Sequence, residues 1–280
     1  MSVTAKKLIL DLLLAAGTDH LPVRHLLAAA ALFGIPANNL RVALARLSSD
    51  GMIESMGRGV YQLSASANEL AADVATWRTA GQRVMPWSGS NITVHCGALG
   101  RSDRVALRHR DRALQMLGLR ELDRGLFVRP DNLQGGVEEV RRRLYMLGLE
   151  REAGVFITTS FDPDREDRIR RLWQDTELDD SYARIQHQLS DWTARFEQLP
   201  IEDATRESYL LGRKAIRQVV FDPLLPAPLV NVPARQRFFD AVLAFDQLGH
   251  GIWRRFHAQV DVPSPALAAA PATSATSRPH

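Results

Sequence analysis

The stretch ANNLRVALARLSSDGMIESMGRGVYQL, Ala37 to Leu63, decides the reading of the N-terminal part of the chain. Leu40, Ala43, Leu44 and Leu47 recur at the 3, 1, 3 spacing that puts apolar side chains on one side of a helix. Gly51 follows where a helix C-terminus favours glycine, so the spacing predicts a helix over 37–49. Met52 to Ser55 and Val60 to Leu63 then flank Met56-Gly57-Arg58-Gly59, two short strands around a glycine-containing turn. Working outward, Gly34-Ile35-Pro36 stops a preceding apolar helix over about 22–33, with Pro22 suited to its first turn. Leu8, Ile9, Leu12 and Leu13 mark a helix before that. Helix, helix, turn, helix, hairpin is the order of a winged helix-turn-helix, expected over residues 1–64.

At 100° per residue the third helix leaves Asn38, Val42, Ala45 and Ser49 opposite its apolar side, with Arg41 and Arg46 on the flanks. Small side chains let a helix approach the floor of the major groove. Asn38 and Asn39 can pair with adenine edges, and arginines can reach guanine or phosphate. Arg58 at the hairpin tip suits a backbone or minor-groove contact. The candidate DNA-binding set is therefore Asn38, Asn39, Arg41, Val42, Ala45, Arg46 and Arg58. Two plainer uses of the same pattern stay open, an amphipathic helix with a solvated charged face and a winged helix that binds another protein.

The 280 residues are 45% hydrophobic, enough for packed cores and about two domains. With 35 Lys and Arg against 32 Asp and Glu, any DNA-binding surface must be local. One cysteine, Cys96, excludes an intramolecular disulfide and every multi-cysteine zinc module, and fits a reducing compartment such as the cytoplasm. No apolar run approaches the roughly 20 residues of a membrane span. The signatures of P-loop NTPases, α/β-hydrolases and zinc proteases are absent, and Gly57-Arg58-Gly59 lies between strands instead of opening a dinucleotide-binding helix. No catalytic residue, metal site or cofactor is assigned. Asp162, Asp164, Glu166 and Asp167 read as a capped helix start, and Cys96 as a small buried hydrophobe. Residues 258–280, with seven Ala and four Pro and almost no large apolar side chain, read as a disordered tail.

Residues 65–90 read as a linker helix. Residues 91–160 then follow the order βαββαβ, the split βαβ pattern of a ferredoxin-like sheet. Its first strand, Asn91 to Gly97, carries no carboxylate for a nuclease metal. Arg141, Arg142 and Arg143 form a solvated helix face or, alternatively, hold an anionic effector or DNA. Residues 161–257 are helical. Tyr182, Ile185, Leu189, Trp192, Phe196 and Leu199 are spaced 3, 4, 3, 4, 3, a seam that suits either a homodimer or an intrachain helix pair. The fold class is thus α+β and multidomain, with a winged helix-turn-helix, a central ferredoxin-like βαββαβ domain and a C-terminal helical dimerisation domain.

Three motifs in order, Leu40 to Leu63 as above, Gly125-Leu126-Phe127-Val128-Arg129-Pro130, and Phe221-Asp222-Pro223-Leu224-Leu225-Pro226, resemble the PaaX family of phenylacetate-catabolism repressors. The likeness spans about residues 20–256. It implies a transcriptional repressor that binds double-stranded operator DNA as a homodimer, through a winged helix, a central domain like the CRISPR-adaptation endonuclease fold and a helical C-terminal region. It also implies a small-molecule effector, phenylacetyl-CoA or another acyl-CoA, whose pocket no residue of the sequence identifies. Val230 to Ala234 replace the tryptophan and glycine of the family after the Leu-Pro motif, and Gly118-Leu119-Arg120 replaces its Gly-Phe-Gly.

Overall fold

A computed structural model describes residues 3–17, 19–67, 76–100, 102–173 and 178–262. It is a mixture of helices and two small antiparallel sheets, with a helical C-terminal region. Among the described residues no helix is long and apolar enough to cross a membrane. Contacts divide the chain into two units. One comprises the described residues of Met1–Ala67, Ile201–Thr205 and His250–His280, and the other those of Asn68–Pro200 and Arg206–Gly249.

The first unit begins with α1 (Ala5–Ala16), β1 (Leu21–Pro22), α2 (Val23–Leu32), α3 (Ala37–Ser49), β2 (Ile53–Gly57) and β3 (Val60–Leu63). Its core is the set the periodicity predicts, Leu8, Ile9, Leu12 and Leu13 of α1 against Leu40, Leu44 and Leu47 of α3, closed by Leu26, Ala29 and Ala30 of α2. The turn between α2 and α3 is fixed by Gly34 at φ 65°. Its amide donates to Ala31 O at 3.0 Å and that of Ile35 to Ala30 O at 3.0 Å, so two orphan carbonyls of α2 are satisfied. The two-residue strand β1 is too short to show in the sequence, yet it pairs with β3 and makes the sheet order β1-β3-β2.

In the second unit, a 3-10 turn (Thr76–Arg83) precedes β4 (Asn91–His95), α4 (Arg104–Met116), β5 (Arg120–Asp123), β6 (Leu126–Pro130), α5 (Gly136–Met146) and β7 (Gly154–Thr158). Of the expected linker helix, residues 68–75 lie outside the described residues, and residues 76–83 form a 3-10 turn instead of an α-helix. The sheet order is β5-β6-β4-β7, all antiparallel, the order that two α-helical crossovers give when each skips one strand. Ile92 and Val94 lie opposite Arg129, Phe127, Ile157 and Val155 in the ladders. Ile92 and Val94 are buried, as are Val140 and Leu144 of α5 and Ala113 and Leu114 of α4.

The chain continues through α6 (Pro163–Arg171), α7 (Leu178–Thr193), a 3-10 turn (Phe196–Gln198), α8 (Ile201–Val220) and α9 (Val232–Asp261). Asp162 caps α6 by accepting from Arg165 N at 3.0 Å, as its position predicts. The seam on α7 is filled within the chain. Tyr182 stacks on Phe238 with ring centroids 5.3 Å apart, and Trp192 meets Phe245 edge-on at 5.3 Å. The helix stops at Thr193, so Phe196 and Leu199 fall outside it. Residues 258–261, expected to belong to the tail, are instead part of α9, which runs on through Asp261; residues 263–280 lie outside the described residues.

Two of the sequence motifs meet in this unit. Arg129 is 1% exposed and donates to the carbonyls of Leu117, Pro130 and Pro223 and to Asn132 Oδ1, the last at 3.0 Å. Asn132 in turn donates to Leu224 O at 2.7 Å. Burial, then the charge of Arg143, pushes the Arg129 pKa down to about 9, which leaves it cationic at neutral pH. Gly118, at φ 70°, lies so close to Pro223 that a Cβ there would sit 2.6 Å from the proline Cβ. The strand motif and the Asp-Pro-Leu-Leu-Pro motif are thus two sides of one joint.

Candidate nucleic-acid interface

The first unit presents α3 by its apolar side, and the geometry of that side sets what faces outward. With Leu40, Leu44 and Leu47 at 3% exposure or less, Asn38, Asn39, Arg41, Val42, Ala45, Arg46 and Ser49 are all exposed, Val42 by 43%. Ala43, on the edge of the apolar side, is half-buried. Six of the seven candidates therefore lie on one helix, which at 1.5 Å per residue is about 20 Å long. Pro36 precedes α3 and no side chain caps its first turn, so amide groups there remain available to an anion.

Arg58, the seventh candidate, is exposed at the tip of the β2–β3 hairpin. The hairpin is kinked by an irregularity between Ser55 and Gly57, and Ser55 Oγ donates to Gly57 O at 2.9 Å. The tip is tied to the start of α2, where Val23 N donates to Gly59 O at 2.6 Å. Among the described residues no hydrogen bond or ion pair engages the guanidinium groups of Arg41, Arg46 or Arg58. Three cations with no internal partner, beside small and amide side chains on one helix, can neutralise phosphates and read base edges in a groove.

Sequence reasoning did not single out α2 and the end of α9, whose side chains meet in this unit. Asp261 Oδ1 accepts from Arg24 Nε at 2.7 Å and lies 2.8 Å from His25 Nε2. His25 stacks on His257 with ring centroids 4.3 Å apart and planes 7° from parallel. The bonds from Arg24 and His25 hold the Asp261 carboxyl below the usual range, while burial and the neighbouring His25 push His257 down to about 4. No local pattern signals a contact between residues 237 positions apart.

The other sites considered from sequence behave as packing and capping. Arg141 and Arg142 are engaged by Glu138 and Glu139, at 2.5 and 2.7 Å, and Arg141 also donates to Val155 O. Cys96 is buried and its thiol is pushed up to about 11, chiefly by burial, so it stays protonated. Among the described residues no three His, Cys, Asp or Glu side chains converge as a metal cage. An open cleft beside the β5–β6 hairpin is walled by Glu121, Leu122, Asp123, Arg124 and Arg168. Asp123 there accepts from Arg165 and Arg168 at 2.7 and 2.9 Å. So polar a wall does not suit an aryl or acyl group.

Residues 173–255 match the family model for the PaaX-like protein C-terminal domain. That C-terminal segment is PaaX-like. The matched segment contains Asp222 to Pro226, the motif that Arg129 and Asn132 hold. Among solved structures, the uncharacterized protein Rv0674 from Mycobacterium tuberculosis is similar, with a TM-score of 0.63 and 22% identity over 91% of this chain and 100% of that one. At that identity the likeness is one of fold. No curated protein matches the chain.

Proposed function

We propose that this PaaX-like chain is a DNA-binding transcriptional regulator whose N-terminal unit works as a winged helix-turn-helix. The observation that supports it best is the outward side of α3, where Asn38, Val42 and Ala45 are flanked by Arg41 and Arg46. The helix would enter the major groove, and Arg58 at the hairpin tip would take a phosphate or the adjacent minor groove. On this reading the domains are 1–64 for DNA, 65–90 as a connection, 91–160 as a ferredoxin-like centre and 161–257 for assembly. The protein acts as a homodimeric repressor of an aromatic or acyl-CoA catabolic operon and is released by an acyl-CoA-type effector. The seam on α7 does not argue for the dimer, since Phe238 and Phe245 of the same chain fill it. Regulation of this kind needs no catalytic residue.

The test is fluorescence-anisotropy binding of the full chain to DNA from its own upstream region, across a salt series and with acyl-CoA thioesters. Competitor-resistant binding is expected, with half-sites about 10 base pairs or a multiple apart. Arg41→Ala, Arg46→Ala and Arg58→Ala should each lower the slope of log K against log salt by about 0.9. Binding that is indifferent to all three would sink the assignment and favour a protein partner for α3.

A further inference from the structure

Arg24 stands one residue beyond Val23, whose amide is bonded to Gly59 beside the hairpin-tip Arg58. In a helix-turn-helix the helix before the recognition helix crosses the DNA backbone, and α2 begins at this corner of the unit. Arg24 is well exposed, with 61% of its side chain open to solvent. It differs from Arg41, Arg46 and Arg58 in one respect, that a carboxylate already occupies it. Asp261 on the last turn of α9 accepts its Nε at 2.7 Å and is itself 41% exposed, so a negative charge sits beside α2 in the same unit as the candidate interface.

The carboxylate is held in place by more than Arg24. His25, 10% exposed in its side chain, reaches the same Oδ1 at 2.8 Å, and its ring is stacked on His257 one turn earlier on α9. Trp253 and Phe256 pack edge-on to each other, and both contact the His257 ring. Ile252 and Phe256 are buried, at 1% and 5% exposure. The final turns of α9 are therefore anchored by apolar packing that does not need the ion pair, and Asp261 rides on that anchor. An exposed ion pair contributes little to stability. Its larger effect falls on a competing anion.

We infer that Arg24 is a phosphate-binding residue of the DNA interface and that Asp261 competes with the DNA phosphate for it, an intramolecular brake on affinity. The inference rests on the DNA-binding reading of α3. In the folded chain the guanidinium is neutralised and its release costs the Asp261 contact. The same carboxylate repels a backbone phosphate arriving at α2. Any signal that draws the last turn of α9 away would add one cation to the interface and remove one anion.

The experiment uses the full chain and one duplex, with Kd measured by anisotropy from 0.05 to 0.5 M salt. Asp261→Asn keeps an oxygen acceptor for both donors and loses only the charge. It should bind about eight-fold tighter at 0.1 M salt, the gain that one added phosphate contact gives relative to 1 M, with the salt slope steeper by about 0.9. Asp261→Glu keeps the charge and should stay within about two-fold of the parent. Combining Arg24→Gln with Asp261→Asn should abolish the gain. Unchanged or weaker binding by Asp261→Asn overturns the inference, as does equal tightening by Asp261→Glu. A gain of about eight-fold that survives in the Arg24→Gln/Asp261→Asn double variant overturns it as well, because the gain then does not come from Arg24. Arg46→Ala separates the two claims: if it weakens binding while Asp261→Asn does nothing, only the brake is wrong, and if it also does nothing, the DNA-binding reading of α3 has failed.

Discussion

Replacing Tyr182 by phenylalanine deletes one oxygen from a buried pair in the PaaX-like region and leaves the ring that stacks on Phe238. The hydroxyl donates to Asp222 Oδ2 at 2.5 Å, and the other carboxylate oxygen accepts from Leu224 N at 2.8 Å. Asp222 is 6% exposed, so without Tyr182 one oxygen of a desolvated carboxylate loses its donor. Leaving such a group unpaired costs about 1–3 kcal/mol, and about 2 kcal/mol is the expected loss. With a urea m-value of about 2.5 kcal/mol per molar, the unfolding midpoint should fall by about 0.8 M. The fluorescence of the buried Trp173 and Trp192 in the same unit reports it. The pH dependence gives a second signature. Burial raises the Asp222 pKa in the folded chain, while the bonds from Tyr182 and Leu224 pull it back. A raised folded pKa contributes stability that is fully present below the unfolded value, about 3.9, and is lost as pH rises through the folded one. Tyr182→Phe raises the folded value further, so its cost should grow from pH 5 to pH 8. A loss below about 0.5 kcal/mol, or the same loss at both pH values, would refute the reasoning.

Two glycines separate conformational strain from steric conflict. Gly34→Ala meets nothing within 4 Å and should cost only the left-handed backbone penalty, about 1 kcal/mol by urea unfolding. Gly118→Ala adds to that penalty a Cβ 2.6 Å from Pro223, and should cost about 3 kcal/mol; equal losses at the two sites would mean that the Pro223 side of the joint yields freely. His257 titrates at about 4 in the folded chain, below its ordinary value of 6.5. The unfolded chain thus takes the proton first, and stability present above pH 6.5 should drain away as pH falls toward 4. His257→Gln should flatten that part of the melting-temperature profile, and an unaltered profile would remove His257 as its source.

What the sequence discloses and what it hides follow from the range of the interactions. Helix α3 has its expected limits, 37 to 49, because Pro36 and Gly51 punctuate it and three leucines fix its buried side. The crossovers of the second sheet are equally local, each helix ending at a glycine. Strand β1 offers no such signal, since two residues make no period and its pairing with β3 depends on Tyr61 and Val60 far along the chain. The heptad-like seam on α7 shows which side is buried but not by what, and apolar periodicity is the same for a partner in the chain or outside it. Arg129 reads as an ordinary strand residue. Its burial among carbonyls becomes visible only when Leu117, Asn132 and Pro223 converge on it. The candidate interface was legible on α3 because exposure there is the complement of a local pattern. Arg24 and Asp261 were not, because their meeting depends on how α9 ends.

The joint around Arg129 bears on how such chains can be recombined. Its donors lie at Arg129 and Asn132 and its acceptors at Pro223 and Leu224, with Gly118 making room for the proline. A graft that exchanged the helices after residue 161 between distant relatives would cut between lock and key, leaving a buried cation facing carbonyls placed for another side chain. Moving residues 118–132 together with 222–226 would keep the fitted pieces in one parcel. Useful crossover points in this lineage are therefore set by that parcel, and the apparent sheet-to-helix boundary is a poor place to cut.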